Sequence, residues 1–135
     1  MILGRTLAEQ IFDHSVREHP LECCGLIAGR DGVAERLYPI ANVARSERRY
    51  LMDAAQQTSA IRDADLRGLD ILAIYHSHIH AEARPSAVDV TMAVRSGWLD
   101  VLHVLVSLQD IDRPAMRWFI VSRDGEVIEQ PISLA

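Results

Sequence analysis

The chain has 135 residues, 49% of them hydrophobic and 24% charged, which is the composition of one ordinary globular domain. Its net charge of −5 argues against a nucleic-acid partner and against binding to an anionic membrane surface. No apolar run approaches the about 18 residues of a membrane-spanning helix, and the beginning of the chain has no signal-peptide pattern, so we expect a cytoplasmic protein that does not interact with a membrane.

The first third of the chain predicts a helix followed by a β-hairpin. Apolar side chains recur at helical spacing behind a capping-box pattern at Thr6 and Glu9, which predicts a helix over residues 7–19. Two apolar runs, at 23–28 and 33–40, are separated by a glycine-containing turn. They predict the two strands of the hairpin.

The middle of the chain combines a basic loop with a second helix. Residues 42–49 are polar and basic, which is typical of a loop, and residues 50–52 predict a short extended segment. Asp53, followed three residues later by Gln56, is typical of a helix N-terminus. We expect this helix to continue to Leu66.

The second half predicts further strands around one helix and ends in a hairpin. A strand is expected over 70–75, a helix over 87–95 and a buried strand over 100–108. The runs 115–122 and 126–132 flank a glycine-containing turn and predict the second hairpin. Together these elements predict one mixed α/β domain of the α+β type.

Three histidines at alternate positions follow the strand predicted at 70–75. An extended backbone places His76, His78 and His80 on one face, where two imidazoles can share a metal ion. Asp89 enters the next helix and offers a carboxylate as a third ligand. Three nitrogen and oxygen ligands with a fourth position left to water describe a catalytic zinc site, whereas structural zinc sites are usually closed by four ligands rich in cysteine.

Each of these residues also has an ordinary structural explanation. A histidine pair at a strand end is often simply half-buried, and Ser86 with Asp89 has the form of a capping box. A carboxylate such as Glu22, just before an apolar run, is usually solvated at a strand edge. Cys23 and Cys24 are neighbours on a predicted strand and point to opposite faces, so we interpret them as small core residues.

The joint pattern of these residues resembles the JAMM motif of the MPN-plus (Mov34/PAD-1) metallohydrolases. The segments 20–29 and 73–78 are similar to the glutamate-bearing strand and the metal-binding strand of that family. The resemblance covers almost the whole chain and implies a single MPN-like domain over 1–135, with a central mixed sheet flanked by helices. The residues that match the motif, at its spacing, are Glu22, His76, His78, Ser86 and Asp89.

The resemblance implies a role for each matching residue. It makes Glu22 the general base and Ser86 the donor that stabilises the oxyanion, with hydrolysis of an amide or isopeptide bond as the reaction. The motif spacing leaves His80 outside the ligand set, as a bystander or a substrate contact. The implied ligands of one zinc ion per chain are His76, His78 and Asp89.

The substrate class also follows from the resemblance. Such sites cut after the C-terminal glycine of ubiquitin or a ubiquitin-like protein, whose tail is held as an added strand. Ile79 stands where the eukaryotic deubiquitinases usually carry proline, and the short chain is most similar to prokaryotic enzymes that release cysteine, or a related product, from a small ubiquitin-like sulfur carrier ending in Gly-Gly. Arg48 and Arg49, in the basic loop, predict a docking patch for this carrier, and a merely solvated loop is the alternative.

Three other functions are compatible with the same residues. The first is an isopeptidase that removes a ubiquitin-like modifier from lysine, and the second is a protease that trims residues beyond a Gly-Gly end. The third is a metal-free MPN scaffold that only binds partners. Scaffold versions typically lose one or more ligands, so the intact ligand set argues against this last function.

Overall fold

The computed structural model describes residues 1–135 and contains six strands and three helices. The helices are α1 (Arg5–Glu18), α2 (Ala54–Leu66) and α3 (Ala87–Ser96). The strands are β1 (Cys24–Arg30), β2 (Val33–Ile40), β3 (Asp70–His78), β4 (Leu102–Ser107), β5 (Ala115–Val121) and β6 (Val127–Gln130). None of the helices has both the length and the apolar composition needed to cross a lipid bilayer.

All six strands form one mixed sheet. Its order is β2-β1-β3-β4-β5-β6, and every neighbouring pair is antiparallel except β3 and β4, which run parallel. Helix α3 lies in the crossover between these two parallel strands, as a parallel connection requires. The two predicted hairpins are the pairs β1–β2 and β5–β6.

The central strand β3 sends alternate side chains into two separate cores. Ala73 and Tyr75 join the larger cluster, which α1 covers through Ala8 and Ile11. Ile74 faces the opposite side and packs in the cluster that includes Ala60 of α2. Because side chains alternate along a strand, the residues that follow Ile74 at even spacing lie on the α2 side.

Tyr75 is the largest side chain of β3 that faces α1, and it depends on a glycine opposite it. Gly25 pairs with Tyr75 across β1 and β3, and a methyl group at Gly25 would collide with the Tyr75 ring. The Tyr75 hydroxyl lies 2.7 Å from Nδ1 of the buried His14 on α1. Burial lowers the pKa of His14, so this hydrogen bond joins the hydroxyl to a neutral imidazole.

Two sequence-based predictions of element boundaries were wrong. Helix α1 begins at Arg5 behind Gly4, without a side-chain cap, so Thr6 lies inside the first turn and the predicted capping box with Glu9 does not form. Strand β3 continues to His78 because β4 pairs alongside it as far as Ser107. By contrast, the predicted N-cap of α2 is confirmed, since the Asp53 side chain accepts a hydrogen bond from the backbone N–H of Gln56.

We predict that Gly25→Ala destabilises the fold, because the added methyl group meets the Tyr75 ring in a packed core. Overpacking of this kind typically costs about 1–3 kcal/mol of unfolding free energy, which chemical denaturation measures. The matched test is the same substitution in a Tyr75→Leu background, where the far end of the ring is absent. Additive losses in the double variant would contradict the contact.

Candidate active site

The two histidines of the His-x-His pattern lie on the α2 side of β3, next to each other and buried. Their register positions are opposite Leu105 and Ser107 of the parallel strand β4. The Nε2 atoms of His76 and His78 are 3.2 Å apart. Strand pairing on both sides of β3 therefore fixes the separation of the two rings.

Asp89 reaches these histidines from the first turn of α3. Its Oδ2 atom is 3.1 Å from Nε2 of His76 and 3.0 Å from Nε2 of His78. The same Oδ2 accepts the backbone N–H of Ser86 at 2.8 Å, while Ser86 Oγ accepts the backbone N–H of Asp89 at 3.1 Å. This is a complete capping box, so the predicted cap of α3 is confirmed and also aims the carboxylate at the histidines.

The three side chains fit a zinc ion. A tetrahedral ion with bonds of about 2.0–2.1 Å holds its ligand atoms about 3.3 Å apart, close to the 3.0–3.2 Å between these atoms. Nδ1 of His78 donates to the carbonyl oxygen of Glu82 at 2.8 Å, which leaves Nε2 with its lone pair toward the other two ligands. His76, His78 and Asp89 thus form a candidate metal site.

Burial and mutual contacts shift the pKa values of these three side chains. Burial alone raises the pKa of Asp89, but the two histidines and the Ser86 amide outweigh burial and hold that pKa well below its ordinary value. Burial lowers the pKa of His76. For His78 burial acts in the same direction, but its hydrogen bonds to Asp89 and to the Glu82 carbonyl outweigh it and raise the pKa.

Glu22 is a buried carboxylate just before β1. Its Oε1 atom has no hydrogen-bond partner, and burial raises its pKa to about 8. An unpartnered buried oxygen is costly, and a reacting water molecule or the proton of a substrate would satisfy it. The ordinary alternative for this glutamate, a carboxylate solvated at a strand edge, does not fit its burial.

Glu22 lies beside the metal site in a small cleft. The cleft has a volume of about 100 Å³. His80 stays outside the ligand group, and its Nε2 lies 3.3 Å from Oε1 of Glu47 at the exposed rim. The residues that line the cleft are Glu22, Glu47, Arg48, His78, Ile79, His80, Ala81 and Ser86.

An apolar groove reaches the other side of the metal site. It has a volume of about 140 Å³ and extends between α3 and the segment before α2. Arg49 lines this groove, so the two arginines that were predicted to contact substrate lie on different sides of the site. The side chains that give the groove its apolar character are Tyr50, Leu51, Met52, Ile74, Val88, Met92, Ala93 and Trp98.

Sequence reasoning missed two residues that support the site, Tyr50 and Asn42. The Tyr50 ring stacks on His76, with centroids 4.4 Å apart and planes inclined by 32°. The Asn42 side chain donates to the main-chain oxygen of Glu22 at 3.0 Å. Neither residue carries a spacing signal, because both contacts join positions far apart in the sequence.

A comparison with protein families identifies the chain. The family model of prokaryotic homologs of the JAB domain matches residues 5–121. The chain belongs to this family. The resemblance drawn from the motif is therefore confirmed: the chain belongs to the JAMM metallopeptidases and carries a candidate metal site at His76, His78 and Asp89.

Individual relatives agree with this assignment. The chain is 34% identical to the CysO-cysteine peptidase of Mycobacterium tuberculosis, over 99% of this chain and 90% of that protein. It is 42% identical to a probable TtuB-protein conjugate cleaving protease of Thermus thermophilus, over 69% of this chain and 63% of that protein.

A solved structure confirms the fold class. The JAB1/MPN domain protein AF2198 of Archaeoglobus fulgidus superposes with a TM-score of 0.62 at 20% identity, covering 100% of this chain and 99% of that one. The chain is thus a single MPN-like domain, in which three helices pack on a six-stranded mixed sheet.

We predict that the purified protein binds about one zinc ion per chain. His76→Ala, His78→Ala and Asp89→Ala each remove one of three ligands and should sharply lower the zinc content, which elemental analysis measures. His80→Ala is the matched control, since His80 lies on the same strand extension but outside the ligand group, and it should keep its zinc. Full zinc occupancy in the three ligand variants would refute the site.

Proposed function

We propose that this protein is a zinc-dependent hydrolase that cuts the amide bond after the C-terminal glycine of a ubiquitin-like sulfur carrier and releases cysteine or a related product. The observation that carries the proposal is the unpartnered, buried carboxylate of Glu22, which shares a cleft with His78 beside the three candidate ligands. The active unit is the one domain of residues 1–135, and the reaction takes place in the cytoplasm.

The chain supplies two of the functions that amide hydrolysis needs. His76, His78 and Asp89 would hold a zinc ion, which would supply Lewis-acid activation of water and of the scissile carbonyl. Glu22 takes one proton from the attacking water as the new C–O bond forms. It then gives this proton to the nitrogen as the C–N bond breaks, so that the products are a carboxylic acid and a free amine.

Ser86 is the proposed donor to the developing oxyanion. Its Oγ accepts a hydrogen bond from the Asp89 backbone, and the hydroxyl proton stays free to donate into the cleft that Ser86 lines. The capping role and the catalytic role are therefore compatible. Single donors of this kind contribute roughly 10²–10³ in turnover in other hydrolases.

Glu22→Gln should keep zinc and lose about 10²–10⁴ in kcat, because an amide cannot accept the proton of the attacking water. Steady-state kinetics and elemental analysis on the same preparation check both parts. Glu82→Gln is the matched control: Glu82 is exposed and its side chain lies near Arg117, so kcat should stay near the wild-type value. If Glu22→Gln kept its turnover and Glu82→Gln lost it, the base would be Glu82.

Ser86→Ala should retain zinc and lose about 10²–10³ in kcat. The substitution also removes a helix cap, which typically costs about 1 kcal/mol of unfolding free energy. Ser86→Asp keeps a capping oxygen but has no hydroxyl proton at neutral pH, so it should recover stability without recovering turnover. If Ser86→Asp recovered turnover together with stability, Ser86 would act only as the cap of α3.

The apolar groove on the Asp89 side is the proposed binding site for the extended tail of the carrier. Main-chain pairing holds such a tail, and the narrow space beside the metal site selects glycine at the cut position. Arg49, at the rim of this groove, is placed to contact the carrier, whereas Arg48 and His80 contact the leaving group in the cleft.

A folded carrier should be cut at least about tenfold faster than a short peptide with the same Gly-Gly-Cys end, because contacts remote from the bond help to position it. Arg49→Glu should weaken cleavage of the folded carrier and spare the peptide. Competition assays that report kcat/KM for both substrates measure this difference. Equal rates on peptide and carrier would leave a small-peptide hydrolase instead.

Removal of a ubiquitin-like modifier from lysine is the second candidate function. It is favoured by the 42% identity to a protein described as a conjugate cleaving protease. The chemistry at Glu22 is the same and only the leaving amine differs. Mass spectrometry of the products from a carrier–cysteine adduct and from a carrier–lysine isopeptide separates the two functions, and exclusive cleavage of the isopeptide would select the second.

A further inference from the structure

The cleft beside Glu22 contains one cation without a carboxylate partner. Arg48 takes part in none of the ion pairs of the protein, although it lines this cleft. The carboxylate of the neighbouring Glu47 pairs instead with His80 across the rim of the cleft, with 3.3 Å between Oε1 of Glu47 and Nε2 of His80. The backbone N–H of Arg48 donates a hydrogen bond to Ser46 Oγ at 3.1 Å. This bond helps to keep the Arg48 side chain at the cleft.

The position of Glu22 decides which part of a substrate enters this cleft. In the proposed function Glu22 delivers a proton to the leaving nitrogen, so the leaving group must lie on the Glu22 side. An amino acid linked through its α-nitrogen carries a carboxylate two bonds from that nitrogen. A lysine linked through its side-chain nitrogen has only methylene groups there.

We propose that Arg48 binds the α-carboxylate of the leaving amino acid, so that the preferred substrates are carriers ending in one free amino acid rather than lysine isopeptides. This inference rests on the proposed function. A guanidinium matches a carboxylate with two parallel hydrogen bonds. The small cleft, about 100 Å³, suits a single residue with a small side chain such as cysteine.

The test compares two adducts of one small ubiquitin-like protein ending in Gly-Gly, extended by cysteine or by cysteine amide. Amidation removes the carboxylate charge and changes nothing else near the scissile bond. We expect the acid to be cut about 10–100-fold faster, the value of a charge-assisted hydrogen bond. In Arg48→Gln this acid-to-amide ratio should fall toward one.

Arg45→Gln is the matched control, because it removes the same charge from the same loop at a residue that lines a different pocket beside Glu22 rather than the cleft. It should keep the acid-to-amide ratio of the wild type. Equal wild-type rates on acid and amide would overturn the role of Arg48 and leave the proposed function intact. Cleavage of the lysine isopeptide alone would overturn both.

The side chain of Asn42 uses all of its hydrogen-bonding groups. Oδ1 accepts the backbone N–H groups of Ala44 at 3.0 Å and Leu51 at 2.9 Å. Nδ2 donates to the main-chain oxygens of Glu22 at 3.0 Å and Arg49 at 3.1 Å. One amide therefore closes the loop upon itself and ties it to the residue proposed as the general base.

The same loop contacts the site at two further points. The backbone N–H of Glu22 donates to the carbonyl of Ser46 at 2.9 Å, so both main-chain groups of Glu22 bind this loop. Tyr50 lies between Arg49 and Leu51, which both bond to the Asn42 side chain, and its ring stacks on His76. We infer that Asn42 is a positioning residue for Glu22, which keeps the carboxylate at its place beside the metal ligands.

Asn42→Ala and Asn42→Asp test this role. Asp keeps the two acceptor bonds of Oδ1 but loses both donors, including the bond to Glu22. Both variants should lose about tenfold or more in kcat with little change in KM and in zinc content. In a Glu22→Gln background Asn42→Ala should have no further effect on kcat, because the base is already absent.

Gln56→Ala is the matched control. The Gln56 side chain accepts a hydrogen bond from the backbone N–H of Ala41 at 2.8 Å, next to Asn42, but it does not contact Glu22. It should change thermal stability without the loss in kcat. Equal kcat losses in the wild-type and Glu22→Gln backgrounds would overturn the positioning role. A normal kcat in Asn42→Asp would also overturn the positioning role.

Discussion

The arrangement of the site depends on the pairing of β3 with a neighbour on each side. β1 pairs with it antiparallel and β4 pairs with it parallel, so the strand has no freedom to slip by one residue. A slip of one position would exchange the faces of all its side chains and would replace His76 with Tyr75 at the site. Gly25 fits this register on the other face, because a side chain at this position would collide with the Tyr75 ring.

The third ligand depends on a helix terminus rather than on the sheet. Oδ2 of Asp89 accepts the Ser86 amide and also faces both histidines. The N-terminal end of a helix favours a negative charge, so the carboxylate is stabilised in its charged form before any cation binds. The distance between this helix and the sheet thus sets the size of the candidate metal site, and the same carboxylate serves both the cap and the site.

The sequence predicted the parts of the site that lie on regular elements. The His-x-His pair, the cap at Ser86 and the Asp89 carboxylate have local spacings that periodicity makes visible, and all three come together in the structure. The contacts of residues 42–52 had no such signal. They arise when an irregular loop folds over β1 and β3, and this depends on long-range contacts that no local pattern encodes. The wrong cap at Thr6 has the same origin, because the N-terminal segment pairs with residue 33 and with the C-terminal residues, which sets where α1 begins.

The two sides of the candidate metal site differ in polarity, and in the proposed function this difference gives a substrate its direction. The Asp89 side is an apolar groove with a cation at its rim, which suits an extended peptide tail that leads to a folded, acidic partner. The cleft that Glu22 shares with His78 is small and charged, and His80 and Glu47 border it at its rim. A substrate bound in the reverse sense would place the carboxylate of the leaving group among the apolar side chains of the groove, where only Arg49 at the rim carries a positive charge, and this placement costs desolvation. In the proposed function the direction of binding also decides which nitrogen Glu22 protonates, so the charge distribution around the site contributes to the specificity.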